Sequence, residues 1–368
     1  MKNFIKPDWS QSNLNISASL AKFLGAPNKN ATLPILEKEL TKGYKNIVFI
    51  CFDGMGCYPI EKNLDEQSLL RRMVKQRLTS TFPSTTTNAT TSLITNKLPL
   101  EHGWFGWTLH FDEIDKNIDI YLHTDSLNGE RIEYNYPIAD NADCYFDHAN
   151  TEYNITPILP IYVQTKTAGK IVIQDEFNLC QEIRNICNRE GKQFIYAYLP
   201  EPDSTMHKFG VSSEEAREKF ISINNEIEKL YRDLTDTLII ITADHGQIDV
   251  KDYVEFYKDK ELNDMLECMP YLDARTPAFL VKKGREKEFE SKFREKYSED
   301  FKLYKSEDLI KEGYLGDRGE YGYLLGDYIA IGTYTHKQFI SFENQDRFKG
   351  HHTSLTEEME VPLIMLQS

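Results

Sequence analysis

The chain has no apolar run long enough to cross a bilayer; its longest, such as 47–52, is the length of a strand. Residues 1–15 contain no apolar core of a signal peptide, so export is not expected. Cysteine is sparse and scattered: Cys51, Cys57, Cys144, Cys180, Cys187 and Cys268 form no CxxC pair. Reduced core thiols in a cytoplasmic protein are therefore expected. Positive charge is also short. A net charge of −15 argues against a nucleic-acid-binding surface. It leaves small phosphate esters open as substrates, because bound metals can supply local positive charge. Repeats, low-complexity tracts and long linkers are absent. What remains, at 368 residues with 40% hydrophobic and 27% charged, is an ordinary soluble globular composition. Its length suggests one large α/β domain with insertions, or two domains.

Short apolar runs bounded by turn signals predict strands at Asn46–Phe52, Ile171–Ile173, Phe194–Leu199, Thr237–Thr242 and Val361–Leu366. They show little alternation, as expected of parallel strands buried on both faces. Phe177, Cys180, Ile183, Ile186 and Cys187 fall on one helical face, and Phe220, Ile223, Ile227, Leu230 and Tyr231 on another, the second preceded by a capping box at Ser212 and Glu215. Between 171 and 242 this is a βαβαβ pattern, which predicts a parallel sheet. Two stretches depart from it and are expected to be insertions, a cap at 104–165 and an irregular region at 251–349. The latter holds one helix with Phe289, Phe293 and Tyr297 spaced four apart.

Carboxylates and imidazoles stand out by position. Asp53 follows the first strand, with Gly54 and Gly56 permitting a tight turn; Asp203 and His207 lie beyond the strand ending at Leu199; Asp244 and His245 close the run ending at Thr242; His351 and His352 precede the last strand. Ligands of parallel α/β sheets bind outside the carboxyl ends of the strands. Any one of these residues alone is an ordinary helix cap or an i,i+4 pair. Together they deliver acids to one edge, with enough hard and borderline donors for two divalent metal sites. Residues 82–89 resemble a loop entering a helix, whose N-terminus favours a phosphate or an alkoxide, though Thr85, Thr86 and Thr87 also serve simply as helix-start threonines.

These motifs together resemble the alkaline phosphatase superfamily, in its type I phosphodiesterase / nucleotide pyrophosphatase branch. Glu201-Pro202-Asp203-Ser204-Thr205-Met206-His207-Lys208-Phe209-Gly210 is similar to that branch's EPD-S-x-x-H-K-[YF]-G segment. Thr242-Ala243-Asp244-His245-Gly246 resembles its T-x-DHG, Phe52-Asp53-Gly54-Met55-Gly56 its first metal aspartate, and Leu98-Pro99-Leu100-Glu101-His102-Gly103 its P-x-x-HG. The resemblance implies a three-layer α/β/α sandwich with a mostly parallel central sheet and inserted caps. It implies two divalent ions, zinc ahead of manganese, although the ligand set admits both. Asp53, Asp244 and His245 would hold one ion beside the nucleophile, and Asp203, His207 and a late histidine the other. In Gly350-His351-His352-Thr353 the family's GxHG ends in Thr, which favours His352 and leaves His351 as the alternative.

Counting back from Thr95-Asn96, which stands where the family has T-G, places the nucleophile at Thr86, with Thr81 and Thr85 as alternatives. Ser84 replaces the family Asn in T-F-P-N, and Asn88 is the candidate to take over its oxyanion contact. The sulfatase signature C-x-P-S-R is absent. The implied function is hydrolysis of a phosphodiester or pyrophosphate bond in a small phosphate-ester substrate, possible nucleotides included, through a phosphothreonine at Thr86. Competing functions are a phosphomonoesterase, phosphonate hydrolase or phosphomutase of the same superfamily, and a non-catalytic metal-binding protein. Three ligand carboxylates, an alkoxide and two dipositive ions leave a near-neutral site suited to a monoanionic diester. Arg275 or Arg318 folding over it would weaken that inference. Trp104, Phe105 and Trp107 either pack the cap or stack on substrate.

Overall fold

Asn46–Phe52, Gln193–Leu199 and Thr237–Thr242 are buried at every residue, which is why their sequences carry no alternation. In this computed structural model, which describes residues 4–135, 137–138, 143–160, 166–173 and 175–368, they are the centre of a six-stranded sheet. Its spatial order is Val74–Thr79, Glu360–Gln367, Thr237–Thr242, Asn46–Phe52, Gln193–Leu199, Asn154–Ile158. The last four run parallel, and Glu360–Gln367 is antiparallel to both of its neighbours. The register sets Asn46 opposite both Gln193 and Thr237, so three strands end level at one edge. Helix Asn13–Phe23 packs on Thr86–Thr95 on one face; Glu176–Cys187 packs on Glu214–Asp233 on the other. The result is the three-layer α/β/α sandwich. No helix among the described residues is long and apolar enough to cross a membrane.

Several local expectations need correction. Ile171 makes only an isolated bridge to Ile158, and the edge strand is Asn154–Ile158. The expected cap at 104–165 therefore returns to the central sheet before its end, and its residues 136, 139–142 and 161–165 lie outside those described. Val74–Thr79 went unrecognised because only Leu78 in it is buried, an edge strand without an apolar run. The cap of the long helix is Ser213, whose hydroxyl accepts from Ala216 N at 3.1 Å, while Ser212 bonds Asp249 instead. Phe177 is exposed, and Leu179 takes the core face with Cys180 and Ile183.

The two inserted stretches jointly build a second, antiparallel sheet of seven strands, in the order Phe301–Lys305, Tyr328–Gly332, Thr276–Phe279, Tyr271–Asp273, Thr108–Phe111, Lys116–Asp119, Thr124–Asp125. They join at a single register pair, Leu272 opposite Thr108. One side of the 251–349 stretch has its own aromatic core of Phe256, Phe279, Phe289, Phe293 and Phe339.

Candidate metal centre and nucleophile

The acids at the strand ends are brought together by close backbone approach. Asp53 N donates to Leu199 O at 2.9 Å, and Asp203 N donates to Asp53 O at 3.1 Å, so the loops after two adjacent strands are tied. Gly54 has φ +70°, and a Cβ on it would meet Asp203 Cβ at 3.0 Å. A Cβ on Gly56 would meet Gly246 Cα at 2.5 Å, which no side chain tolerates. The glycines around Asp53 and His245 are thus spatial requirements of the site.

Helix Thr86–Thr95 begins at this edge. Thr86 Oγ1 lies 3.4 Å and 3.5 Å from the two Asp53 oxygens and 3.2 Å from His245 Nε2. Asp53 also accepts from the Tyr198 hydroxyl. His245 Nε2 is 3.2 Å from Asp53 Oδ1 and 3.6 Å from Asp244 Oδ2. Asp244 Oδ1 accepts from Gly54 N and His245 N at 3.0 and 2.9 Å, whereas its Oδ2 is buried with no hydrogen-bond partner. On the other side, His207 Nε2 is 3.2 Å from Asp203 Oδ2, and Asp203 accepts from Gln247 Nε2. Asp203, His207 and His352 form one group able to hold a metal; Asp53, Asp203 and His245 form another. The two halves touch through His245 and His352, whose rings stack at 3.7 Å.

The imidazoles are oriented for ligation. His207 Nδ1 meets Gly350 O at 2.8 Å, His245 Nδ1 meets Gly246 O at 3.0 Å, and His352 Nδ1 meets Ser84 O at 2.9 Å. A carbonyl only accepts, so each Nδ1 carries a proton and each Nε2 is the nitrogen turned inward. His351 is the opposite case: its Nδ1 accepts from His352 N at 2.9 Å. It stands near Asp273, 3.8 Å away, in a further group of Asp273, His351 and His352.

The electrostatics express a shortage of positive charge. Burial, and then the charge of Asp53, push Asp244 well above the usual carboxylate range. Burial alone would lower His245, but the charges of Asp244 and Asp53 outweigh it and lift the imidazole to about 10. Burial, with the charges of His207 and His245, holds His351 and His352 well below the usual histidine value. Nε2 atoms turned inward, a proton drawn onto His245 by Asp244 and Asp53, a buried carboxylate oxygen without a donor and no lysine or arginine lining the cavity among the described residues fit divalent cations.

The site opens into a cavity of about 520 Å³ that Asp53, Thr86, Asp203, His207 and His352 line. The other expected residues separate. Thr85 lines the cavity as the N-cap, but Thr81 and Asn88 do not line it. Asn88 is buried, with Nδ2 donating to Pro83 O at 2.9 Å, so it braces the loop rather than facing an oxyanion. Arg275 does not fold over the site: it is fully buried and paired with Glu358 at 2.6 Å. Arg318 pairs with Glu101 at 3.0 Å. Trp104 and Phe105 are buried in the second sheet's core, while Trp107 lines the cavity. Two departures from the family pattern are accommodated: Asn96 adopts φ +56° where a Gly is usual, and Thr353 O accepts from Ser84 N at 2.8 Å, tying the late histidine loop to the nucleophile loop.

Tyr198 and Asp273 are site residues that sequence reasoning missed. Tyr198 could have been found as the last outward position of a strand ending beside Asp203. Asp273 comes from the second sheet and belongs to no recognisable motif.

A parallel-sheet edge bearing this double cluster and a helix-start threonine fits the alkaline phosphatase superfamily. The type I phosphodiesterase / nucleotide pyrophosphatase model matches residues 47–352, and the chain belongs to that family. It is 39% identical over 80 residues to ectonucleotide pyrophosphatase/phosphodiesterase family member 7 of Rattus norvegicus. That match spans only 19% of this chain and 18% of the rat protein. The fold is similar to murine ectonucleotide pyrophosphatase/phosphodiesterase 5, with a TM-score of 0.64, 15% identity and 88% of each chain covered. It is also similar to phosphonoacetate hydrolase from Sinorhizobium meliloti 1021 with phosphonoformate, with a TM-score of 0.60, 14% identity and 87% and 89% of the two chains covered. An inactive threonine-to-alanine variant of the murine protein in complex with AMP gives a TM-score of 0.61 at 16% identity, covering 86% of this chain and 87% of that one.

Proposed function

We propose that this chain hydrolyses a phosphodiester or pyrophosphate bond through a covalent phosphothreonine at Thr86. The observation that carries this is Thr86 Oγ1, held within 3.5 Å of Asp53 and 3.2 Å of His245 at the start of a helix and open to the cavity. Asp53, Asp244 and His245, with Thr86 itself, are assigned to one divalent ion, and Asp203, His207 and His352 to a second. Zinc is favoured over manganese because imidazoles supply half of the protein ligands apart from Thr86. Bound there, such ions acidify a hydroxyl or a water and offset charge on the departing oxygen.

The chain's own groups do the rest. Thr86 oxygen, its proton released to solvent, bonds to phosphorus in line as the bond to the departing oxygen breaks, and that oxygen takes up a proton from water. Water then cleaves the threonine ester and restores the hydroxyl. The first N–H groups of helix Thr86–Thr95 have no intrahelical carbonyl and favour negative charge at that end. Tyr198 fixes one Asp53 oxygen, and Gly246 O fixes the His245 ring. The AMP complex of the murine relative supports nucleotide-like esters as one substrate class. A dianionic monoester or phosphonate would add charge that no lysine or arginine of the described cavity wall meets. The free cysteines support a reducing compartment, and we place the protein in the cytoplasm. Residues 1–368 are taken as one catalytic unit, since both inserted stretches line the cavity.

Turnover of bis-p-nitrophenyl phosphate against p-nitrophenyl phosphate tests the assignment. The diester is expected to show a kcat/KM at least about tenfold higher. A faster monoester overturns the diesterase assignment.

A further inference from the structure

Beside the metal centre, most of the chain's own hydrogen-bond donors are already spent. No lysine or arginine of the described residues lines the cavity. The Tyr198 hydroxyl is given to Asp53, and the Thr85 hydroxyl to Asp273. Asn88 turns its amide to Pro83 O. His207, His245 and His352 each direct Nδ1–H to a carbonyl. None of these bonded donors is free to meet the oxygens of a bound phosphoryl group.

His351 has the reverse tautomer. Its Nδ1 accepts from His352 N at 2.9 Å, so that nitrogen carries no proton and the neutral ring holds it on Nε2. Nδ1 also makes the ring's nearest approach to a carboxylate, 3.8 Å from Asp273 Oδ1. Nε2 has no hydrogen-bond partner among the described residues, and His351 lines the cavity. A ring with Nδ1 engaged and a proton on Nε2 is a poor metal ligand and a ready donor.

The place of this donor is fixed. Gly350 and His351 pair antiparallel with Asp249 and Ile248, just beyond the Asp244–His245 turn. A Cβ on Gly350 would meet Met206 O at 2.6 Å, so the strand lies tight against the helix that bears Asp203 and His207. The His351 ring stands edge-on to His207 at 5.0 Å and to Phe348 at 5.2 Å, and lies 4.8 Å from His352. Its N–H is thus held beside the Asp203, His207 and His352 group. A hydrogen bond to a charged oxygen is about twice as strong as one between neutral groups. A fixed donor also needs no reorganisation as charge develops.

We propose that His351 is a further catalytic residue, donating Nε2–H to a phosphoryl oxygen of the substrate without ligating a metal and without giving up the proton. This rests on the phosphoryl-hydrolase assignment above and adds to it a donor that the chain itself supplies.

The test compares His351→Phe, which keeps a ring beside His207 and Phe348 but has no N–H, with His351→Gln, whose amide returns one. Bound metal per chain should equal wild type in both. On bis-p-nitrophenyl phosphate, kcat/KM should fall by at least about 10²-fold in His351→Phe, chiefly through kcat, and by less than about tenfold in His351→Gln. Calorimetric affinity for inorganic phosphate should fall by about tenfold in His351→Phe and by less than about threefold in His351→Gln. A role in packing alone would not be rescued by an amide. If His351→Phe does not fold, His351→Leu takes its place. Activity within about threefold of wild type in the variant without N–H overturns the proposal, as does an equal loss in His351→Gln. A metal ion lost from that variant makes His351 a ligand and overturns it too. If wild type hydrolyses neither bis-p-nitrophenyl phosphate nor p-nitrophenyl phosphate, the phosphoryl-hydrolase assignment fails. The donor is then decided by phosphate binding, where equal or no affinity in wild type and His351→Phe overturns it.

Discussion

An imidazole ligates a metal only through a nitrogen without a proton, so the group that fixes its tautomer matters as much as the histidine. His207, His245 and His352 are legible in the sequence as motif residues. The carbonyls of Gly350, Gly246 and Ser84 that orient them are not, because a backbone carbonyl has no sequence signature. The same distinction supports the proposed choice of His352 over His351, which adjacency alone left open. His102 shows another use of a fixed tautomer. It is buried, accepts from Trp104 N at 3.0 Å on Nδ1, and meets Ser92 Oγ at 2.9 Å with Nε2. Burial, with the charge of Lys97, pushes its pKa down to about 3. The unfolded chain therefore binds the extra proton first. This site's contribution is complete above about pH 6.5 and is lost as pH falls from there towards about 3, at up to roughly 1.4 kcal/mol per unit. Urea unfolding at pH 7.5 and 5.5 should show a pH dependence about 1 kcal/mol smaller in His102→Gln than in wild type. Equal dependence would contradict it.

At the scale of elements, the central strands were legible because residues buried on both faces leave apolar runs, as in Asn46–Phe52 and Thr237–Thr242. The second sheet was not. Its strands are two to five residues long and come from stretches far apart in sequence, meeting at Leu272 and Thr108. Leu272 takes φ +84° there, a conformation that nothing in its identity announces. That junction brings Asp273 to the metal centre. Two residues on, the Arg275–Glu358 pair fastens the strand region to the loop behind His351 and His352. Glu358 Oε2 also accepts from Ser354 N at 2.9 Å, and both side chains of the pair are fully buried. Removing one charge of a buried pair strands the other, so Arg275→Met should lower stability by about 3–5 kcal/mol in urea unfolding. A loss below about 1 kcal/mol would show that the pair is replaceable.

For the molecule as a whole, negative charge is the unifying property, from the net −15 of the chain to a cavity bordered by aspartates. Such a site gains stability from cations that bind the folded state alone. Chelation should abolish diester hydrolysis and lower the melting temperature, with both restored by added zinc or manganese. At a free metal concentration about a thousandfold above Kd, the gain is about 4 kcal/mol. An unchanged melting temperature with activity retained in chelator would remove the metal centre from the account. The proposed nucleophilic role of Thr86 is tested apart from metal binding. Its most direct measurement is kcat/KM on bis-p-nitrophenyl phosphate for Thr86→Ala beside Thr85→Ala, its cavity-lining neighbour. The geometry predicts a loss of at least about 10³-fold for Thr86→Ala and less than about tenfold for Thr85→Ala. Retained activity in Thr86→Ala, or the larger loss in Thr85→Ala, would contradict it.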